Sequence, residues 1–475
     1  MISPVGYILI PVALILFVRG RRALLWATLV FVPFTALQVV DIGITTIAGF
    51  QFFGVLFILR CLVDSVWSGT SGFKVSKANG LAALFLLVCF ASISMAILKA
   101  GTVEVYTETQ GRWTDIVSNS GPLRLSSFNF TQVLYPTFGV LLFHFLVREL
   151  RSPADLKKTV NILVWGALIT AGFSIAAGIL FTLGQGNTYW GVLNLFKAGP
   201  LAGVGGPQIS SVGEFVRTYT PAGEPGLTAM TLLLGLGLVV GSMVRRQTGN
   251  SPLVRAPRLK LSVIALALLF NGSTTGYLGG ALLIAWGVVA PWYVGVRGIH
   301  SLRPLLYAAA GVAVVAVAGT MIQVSGLSFY EWLTEYHLAK VQGEGVGSGQ
   351  IRAYVTWYSL TEVFLASPLL GVGYGSHLSL SLITFLLANV GLVGFGVFLV
   401  FLFVVFRNAT AAACKAQGPL GTVAFASVLL FVPFFATLFV AKATSGMNYG
   451  ATWTVIALAE AAYQVYRRQL THQAV

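Results

Sequence analysis

GTVAFASVLLFVPFFATLFVA, residues 421–441, is an apolar run without a single charged side chain. A helix of about 20 such residues is long enough to cross the roughly 30 Å hydrocarbon core of a bilayer. Comparable runs recur along the chain, in which apolar residues make up 56% and charged residues only 9%. Ordinary soluble domains carry about 25% charged residues. The sequence therefore predicts an all-α polytopic membrane protein, with residues 1–475 forming a single membrane domain.

The apolar runs predict about thirteen membrane crossings. The run at 261–271 is short and is expected to be tilted or re-entrant. No basic segment precedes the first run, the reverse of a cleavable signal peptide, so it is expected to remain as a span. The predicted spans are 5–18, 23–40, 47–63, 80–98, 130–147, 159–182, 224–244, 261–271, 277–295, 305–325, 379–406, 421–441 and 451–466.

Basic residues divide unequally between the two sides of this predicted topology. If the loop that holds Arg19 is cytoplasmic, 21 of the 29 lysines and arginines lie on the cytoplasmic side. Cytoplasmic loops are enriched in these residues, so we expect the N-terminus outside and the C-terminus in the cytoplasm. The net charge of +15 is spread over short loops, which argues against a nucleic-acid partner. The eight outer basic residues are Lys99, Arg112, Arg124, Lys197, Arg217, Lys340, Arg352 and Lys442.

Three predicted outer segments are longer than a turn, about 99–129, 183–223 and 326–378, and function is expected there. The second leads into RTYTPAGEPG, residues 217–226, in which Arg217 and Glu224 flank a turn rich in Pro and Gly. Pro225 suits the first turn of the following helix and Glu224 its N-cap region. Arg217 and Glu224 either pair with each other to anchor the loop, or supply an anion-binding group and a general base.

The third outer segment contains SGQIRAYVTWYSLTEVFLASPLLGVGYGSH, residues 348–377. Residues 352–364 are predicted to form a helix on the membrane surface, because Trp and Tyr favour the interface. Pro368 is expected to stop it. The glycines that follow allow either a close approach to a ligand or a tight turn before the next span.

Together these motifs resemble the O-antigen polymerase and ligase family of bacterial surface-polysaccharide assembly, the Wzy and WaaL group. The similarity extends over residues 210–400. Asn271 begins a Ser/Thr-rich turn, NGSTTG, that is similar to the family's outer turn but lacks the Arg often found there. The remaining matching residues are Arg217, Glu224 and Pro225, then Ser348, Gly349, Arg352, Trp357, Pro368, Gly371, Gly373 and Gly375, then Gly391 and Gly394.

The resemblance implies a GT-C type fold in the bacterial inner membrane, with the active site facing the periplasm. Its substrates would be undecaprenyl-pyrophosphate-linked oligosaccharides, its surroundings membrane lipids and its partner a chain-length regulator protein. Arg217 and Arg352 are expected to bind the pyrophosphate, since guanidinium groups hold phosphate oxygens bidentately. Arg124 is a weaker third candidate. Each arginine could instead anchor the chain at the interface.

The general base is expected to be Glu224 or His377, either of which could take a proton from the acceptor hydroxyl. No residues have metal-ligand spacing, so we expect no metal and no cofactor. Ligases of this family carry a His about eleven residues before the Gly-x-x-Gly motif, where this chain has Leu380 and Ser381. This favours a polymerase over a ligase. A transporter or flippase of the same lipid-linked sugars is disfavoured, because the predicted spans contain few charged residues.

Overall fold

A computed structural model describes residues 1–43, 46–68, 76–106, 120–197, 218–245, 253–295, 323–324, 327–328, 348–441 and 447–473. Within these ranges, eight helices are long and apolar enough to cross a membrane. The prediction of an all-α membrane protein is thereby confirmed. The eight spans are Gly49–Trp67, Lys77–Leu98, Ser127–Glu149, Pro153–Phe181, Pro225–Val244, Thr274–Tyr293, Leu382–Lys415 and Gly418–Val440.

The helices of the described ranges are numbered in chain order. They are α1 (Gly6–Arg19), α2 (Arg21–Phe31), α3 (Gly49–Trp67), α4 (Lys77–Ile93), α5 (Met95–Leu98), α6 (Ser127–Glu149), α7 (Pro153–Thr182), α8 (Gly186–Asn194), α9 (Pro225–Val244), α10 (Pro257–Phe270), α11 (Thr274–Tyr293), α12 (Ser348–Tyr358), α13 (Leu382–Lys415), α14 (Gly418–Ala441) and α15 (Gly450–Gln473). A π-helical turn, Ser359–Phe364, continues α12.

Within the described ranges, three short antiparallel strand pairs accompany the helices. They are β1 (Gln38–Asp41) with β2 (Thr46–Ala48), β3 (Glu104–Tyr106) with β4 (Ser120–Pro122), and β5 (Gln323–Val324) with β6 (Leu327–Ser328). In the first, Val40 is opposite Ile47, and in the second, Val105 is opposite Gly121.

The second predicted span, 23–40, was wrong in its extent. Helix α2 ends at Phe31, and residues 38–41 form strand β1 instead. Pro33 lacks the N–H that a further helical turn would need, and its ring packs closely against Gly166 of α7. The eighth and last predicted spans are helical as α10 and α15, but neither is among the eight long apolar helices. The predicted span 305–325 lies almost wholly outside the described residues.

Helices α9 and α14 form the centre of the bundle. In their apolar windows, 83% and 78% of residues are buried, respectively, against 33% for α4 and α11. Gly241 of α9 lies so close to Ala426 of α14 that a Cβ on it would stand 2.5 Å from the alanine Cα. Small residues allow membrane helices to approach in this way. Helices α7, α10 and α11 then surround α9.

Arginines from distant parts of the sequence gather at one end of the bundle, which we call the basic end. Helices α2, α4 and α7 begin there, and α3, α6 and α15 finish there. Ion pairs connect these helix ends, for example between Arg21 and Glu149 at 3.2 Å and between Arg22 and Asp155 at 3.0 Å. The start of α6, the start of α9 and the loop before α13 consequently lie at the other end of the bundle, the opposite end.

Candidate functional site

The segment that carries Glu224 folds as a tight turn at the opposite end. Thr220 and Gly223 exchange backbone hydrogen bonds of 3.1 and 2.8 Å, and Gly223 has a φ of +120°, a conformation that favours glycine. Pro225 is the first residue of α9 and Glu224 its N-cap, as predicted. A carboxylate at this position is stabilised by the helix dipole. The turn therefore holds Glu224 at the N-terminus of α9, the most buried of the eight long apolar helices.

Two neighbouring elements fix this turn through a buried amide. Asn271, at the end of α10, donates from Nδ2 to the carbonyl of Pro225 at 2.7 Å. Its Oδ1 accepts from the Thr218 hydroxyl at 2.9 Å, and Thr218 also contacts Ser174 of α7. The NGSTTG turn and the RTYTPAGEPG segment, separated in sequence, are thus joined in space. Arg217 itself lies outside the described residues.

A cavity of about 330 Å³ opens beside this turn. Its walls come from the α2–β1 connection, the starts of α3 and α9, helix α8 and the residues that precede α15. Glu224 is half-buried in it. The cavity therefore contains Glu224, the carboxylate that lies near the predicted anion-binding Arg217 in sequence.

Other polar groups in the cavity were not predicted from the sequence. Lys197 lines it, and burial lowers the pKa of this lysine. Gln51 donates from Nε2 to Asn448 Oδ1, while its own Oε1 accepts from the Ala48 N–H at 2.9 Å and so caps α3. A lysine, a carboxylate and two amides thus line the same cavity. This combination suits a ligand with both hydroxyl and anionic groups.

Aromatic rings form the apolar part of the cavity. Trp190 and Tyr219 lie with ring centroids 5.6 Å apart, and Phe50 and Phe196 complete the lining. The Trp190 Nε1 is buried and has no acceptor among the described residues. Flat aromatic surfaces with a polar handle are well suited to the C–H faces and hydroxyls of sugars. In the sequence, Trp190 belongs to the cluster NTYWG at 187–191, within the predicted outer segment 183–223, and this cluster could have indicated the aromatic lining.

His377 lies elsewhere at the opposite end and is buried, with 1% of its surface exposed. Its Nδ1 accepts from the Tyr106 N–H at 3.2 Å, so the ring proton is on Nε2, which donates to Ser359 Oγ at 2.8 Å. Ser359 in turn donates to the carbonyl of Val355 at 2.6 Å. Burial lowers the pKa of His377 to about 3. Both ring nitrogens are therefore engaged within the protein, and the imidazole is neutral at physiological pH.

The glycine-rich segment before α13 forms a tight turn, the second of its two predicted roles. Gly371 and Gly391 have φ of +69° and +63°, and each packs its backbone against the other segment. Val372 donates to the carbonyl of Ala388 at 2.8 Å, and Leu392 donates to that of Pro368 at 2.8 Å. A Cβ on either glycine would stand 2.3 Å from backbone carbon. The glycine-rich segment is therefore fixed by backbone contacts against the kink in α13 at Gly391.

The remaining predicted residues lie at the opposite end but outside the cavity. Arg124 is exposed and precedes α6, while Arg352 is half-buried in α12. Helix α12 is held there by Val355, which packs against Tyr106 and Leu378. Neither arginine lines the cavity, and neither does His377. The structure thus brings Glu224 into the cavity and leaves these three residues beside it, within the same end of the bundle.

No protein-family model matches the chain, and no curated protein matches it. The resemblance to the polymerase and ligase family accordingly rests on the motifs quoted above. Among the described residues, no group of three His, Cys, Asp or Glu side chains is arranged to hold a metal ion. Lys197 and Glu224 are charged groups through which this cavity can bind a ligand.

Proposed function

We propose that the protein is a membrane glycosyltransferase, specifically a polysaccharide polymerase. It transfers a growing glycan from one polyprenyl-pyrophosphate carrier to a sugar hydroxyl of another lipid-linked repeat unit. In this proposal the chain has thirteen crossings and a GT-C fold in the bacterial inner membrane. The opposite end faces the periplasm, and the basic end faces the cytoplasm.

The cavity beside Glu224 is the observation that supports this proposal most. It combines a half-buried carboxylate, a partly buried lysine, amides and two neighbouring aromatic rings tilted by 54° to each other. Sugars need apolar faces and hydrogen-bonding groups together, and a pyrophosphate needs cations. The cavity lies beside the start of a membrane-spanning helix, where a lipid-linked substrate could present its head group.

In the proposed reaction, the acceptor hydroxyl oxygen attacks the anomeric carbon of the donor sugar. The bond between that carbon and the pyrophosphate oxygen breaks, and the pyrophosphate leaves with the electron pair. Glu224 takes the hydroxyl proton. Cationic groups, Lys197 in the cavity and Arg217 in the adjoining sequence, offset the charge that develops on the leaving group.

Glu224 is the better general base of the two predicted candidates. A base needs a lone pair that the substrate can reach, and Glu224 lines a cavity. The one lone pair of the neutral His377 ring accepts from a backbone N–H in a buried position. We therefore assign His377 a positioning role, in which it fixes β3, α12 and the loop before α13 relative to one another.

Replacement of the carboxylate tests the proposal. In a deletion strain complemented with Glu224→Gln, glycan chains should stay at the length of single repeat units while protein abundance is unchanged. Glu104→Gln is the matched control, because Glu104 is an exposed carboxylate at the same end outside the cavity lining. Polymer of normal length in the Glu224→Gln strain would contradict the assignment.

The same gels distinguish a polymerase from a ligase. Single repeat units attached to lipid A core indicate a polymerase defect. Bare core with accumulated lipid-linked polymer indicates a ligase defect. Arg217→Ala and Arg352→Ala strains, analysed in parallel, test the predicted pyrophosphate contacts, and normal polymer in both would remove those residues from the mechanism.

A further inference from the structure

The basic end contains a cavity of about 1890 Å³, far larger than the one beside Glu224. Eight arginines line it, from Arg19 at the end of α1 to Arg468 near the end of α15. They come from six helices or helix ends that are far apart in sequence. The preference for basic residues on the cytoplasmic side explains their presence on one side of a membrane. It does not explain why they converge on a single concavity.

Carboxylates compensate only part of this charge. Glu149 is 2% exposed and pairs with Arg21 at 3.2 Å, Arg151 at 3.3 Å and Arg148 at 4.0 Å. Asp64 pairs with Arg60 at 3.1 Å.

A third carboxylate, Asp155, pairs with Arg22 at 3.0 Å. Three carboxylates thus pair with five of the eight guanidinium groups, and a fourth, Glu460, interacts with Arg467, which leaves an excess of at least four positive charges. Such ion pairs fix the arginine side chains, so the excess charge is held in a defined geometry.

Three arginines of the cavity have no carboxylate within ion-pairing distance in the described part of the chain. They are Arg19, Arg467 and Arg468. Burial and the neighbouring charge of Arg151 both lower the pKa of Arg468. Like charges are thus held close together, an arrangement that an anionic ligand would stabilise. Asn79, at the same cavity, has a buried Oδ1 without a hydrogen-bond donor among the described residues.

Aromatic and apolar side chains are exposed at the rim of the cavity. Trp67 lines the cavity with 88% of its surface exposed, and Val63 beside it is 38% exposed. Exposed Trp next to apolar residues marks the level of lipid headgroups. Basic pockets between membrane helices at this depth bind headgroups with several phosphates. Planar guanidinium groups hold phosphate oxygens bidentately.

We infer that the arginine cavity at the basic end binds the headgroup of an anionic phospholipid that carries two phosphates. A soluble diphosphate has the same chemistry, so the test must separate a lipid from a free anion. This inference does not depend on the glycosyltransferase proposal, since the arginine cavity and the Glu224 cavity lie at opposite ends of the same helices.

The test uses the full chain in nanodiscs of phosphatidylcholine, phosphatidylcholine with cardiolipin, or phosphatidylcholine with inorganic pyrophosphate in solution. Cardiolipin should raise the thermal midpoint of the wild type. Arg467→Gln/Arg468→Gln should bind cardiolipin about 30-fold more weakly, given the contribution of each basic residue near an anionic headgroup. Arg255→Gln/Arg258→Gln is the matched control, because both residues are exposed at the start of α10 and neither lines the cavity.

A second variant, Arg467→Lys/Arg468→Lys, guards against misfolding. It retains the charge and should retain most of the cardiolipin affinity, although lysine lacks the bidentate geometry. Equal cardiolipin effects on the glutamine variant and on the control would overturn the inference. So would a midpoint raised by pyrophosphate and not by cardiolipin, which would identify the ligand as a soluble anion.

Discussion

Protonation of His377 should couple the stability of the protein to pH. In the folded protein burial lowers the pKa of His377 to about 3, whereas an unfolded histidine has a value of about 6.5. Between these values the unfolded chain binds a proton that the folded chain does not. Stability from this residue is therefore complete above about pH 6.5 and is lost progressively as the pH falls towards 3.

The size of the effect follows from the same two values. Each unit of pKa difference corresponds to about 1.4 kcal/mol, so the full loss by pH 3 is about 5 kcal/mol. A change from pH 7 to pH 5 should cost about 2 kcal/mol. Protonation would also place a proton on Nδ1, which accepts from the Tyr106 N–H.

Reversible unfolding in mixed micelles, followed by tryptophan fluorescence at pH 7 and pH 5, measures this loss. The free energy of unfolding of His377→Gln should fall by about 2 kcal/mol less than that of the wild type over this range. His472→Gln is the control, because His472 is an exposed histidine near the end of α15. Identical pH dependence in the wild type and His377→Gln would refute the reasoning.

Two further predictions concern the ties between loops and helices. Gly391 has a φ of +63°, and a Cβ added there would clash with the backbone of Leu369. Gly391→Ala should therefore lower the free energy of unfolding by about 1–3 kcal/mol. Gly396→Ala in the same helix meets no atom within 4 Å and should be neutral in the same unfolding assay, so equal losses would contradict the packing argument. Asn271→Ala removes the donor to the Pro225 carbonyl and should lower the free energy of unfolding by about 1–3 kcal/mol. It should also shorten the glycan in cells. Wild-type stability of this variant would show that the hydrogen bond does not fix the turn.

Much of the fold could be predicted because the bilayer imposes it. An apolar run such as 421–441 has few options besides a membrane helix, and the structure has one at Gly418–Ala441. The end of α2 was missed because its apolar sequence continues to residue 40 after the helix stops. Just after α2 ends, Pro33 contacts Gly166 of α7, which is separated from it by much of the chain.

The candidate site was predictable only in part, because it depends on contacts between residues that are distant in sequence. Glu224 was found because Pro and Gly around it give a local turn signal. Lys197, Gln51 and Asn448 carry no such signal, since each looks ordinary in its own segment. They become part of a site only when α3, α8 and the residues before α15 meet. Sequence spacing cannot show that meeting without knowledge of the packing.

Among the described residues, three fully buried asparagines connect loops to helices at the opposite end. Asn129 donates to Tyr374 O at 2.9 Å, and Asn271 donates to Pro225 O at 2.7 Å. Asn389 accepts from the His377 N–H at 2.9 Å and donates to its carbonyl at 2.8 Å. Each amide joins a loop to a membrane helix.

An amide suits this task because it offers a donor and an acceptor together without a charge. A buried ion pair at the same positions would cost several kcal/mol in desolvation for each ion. The loops that carry the candidate residues are therefore fixed by neutral groups. In sequence, an asparagine near a glycine suggests only a turn, and so these ties could not be distinguished from ordinary loop residues. The charged side chains at this end are consequently not needed for these ties.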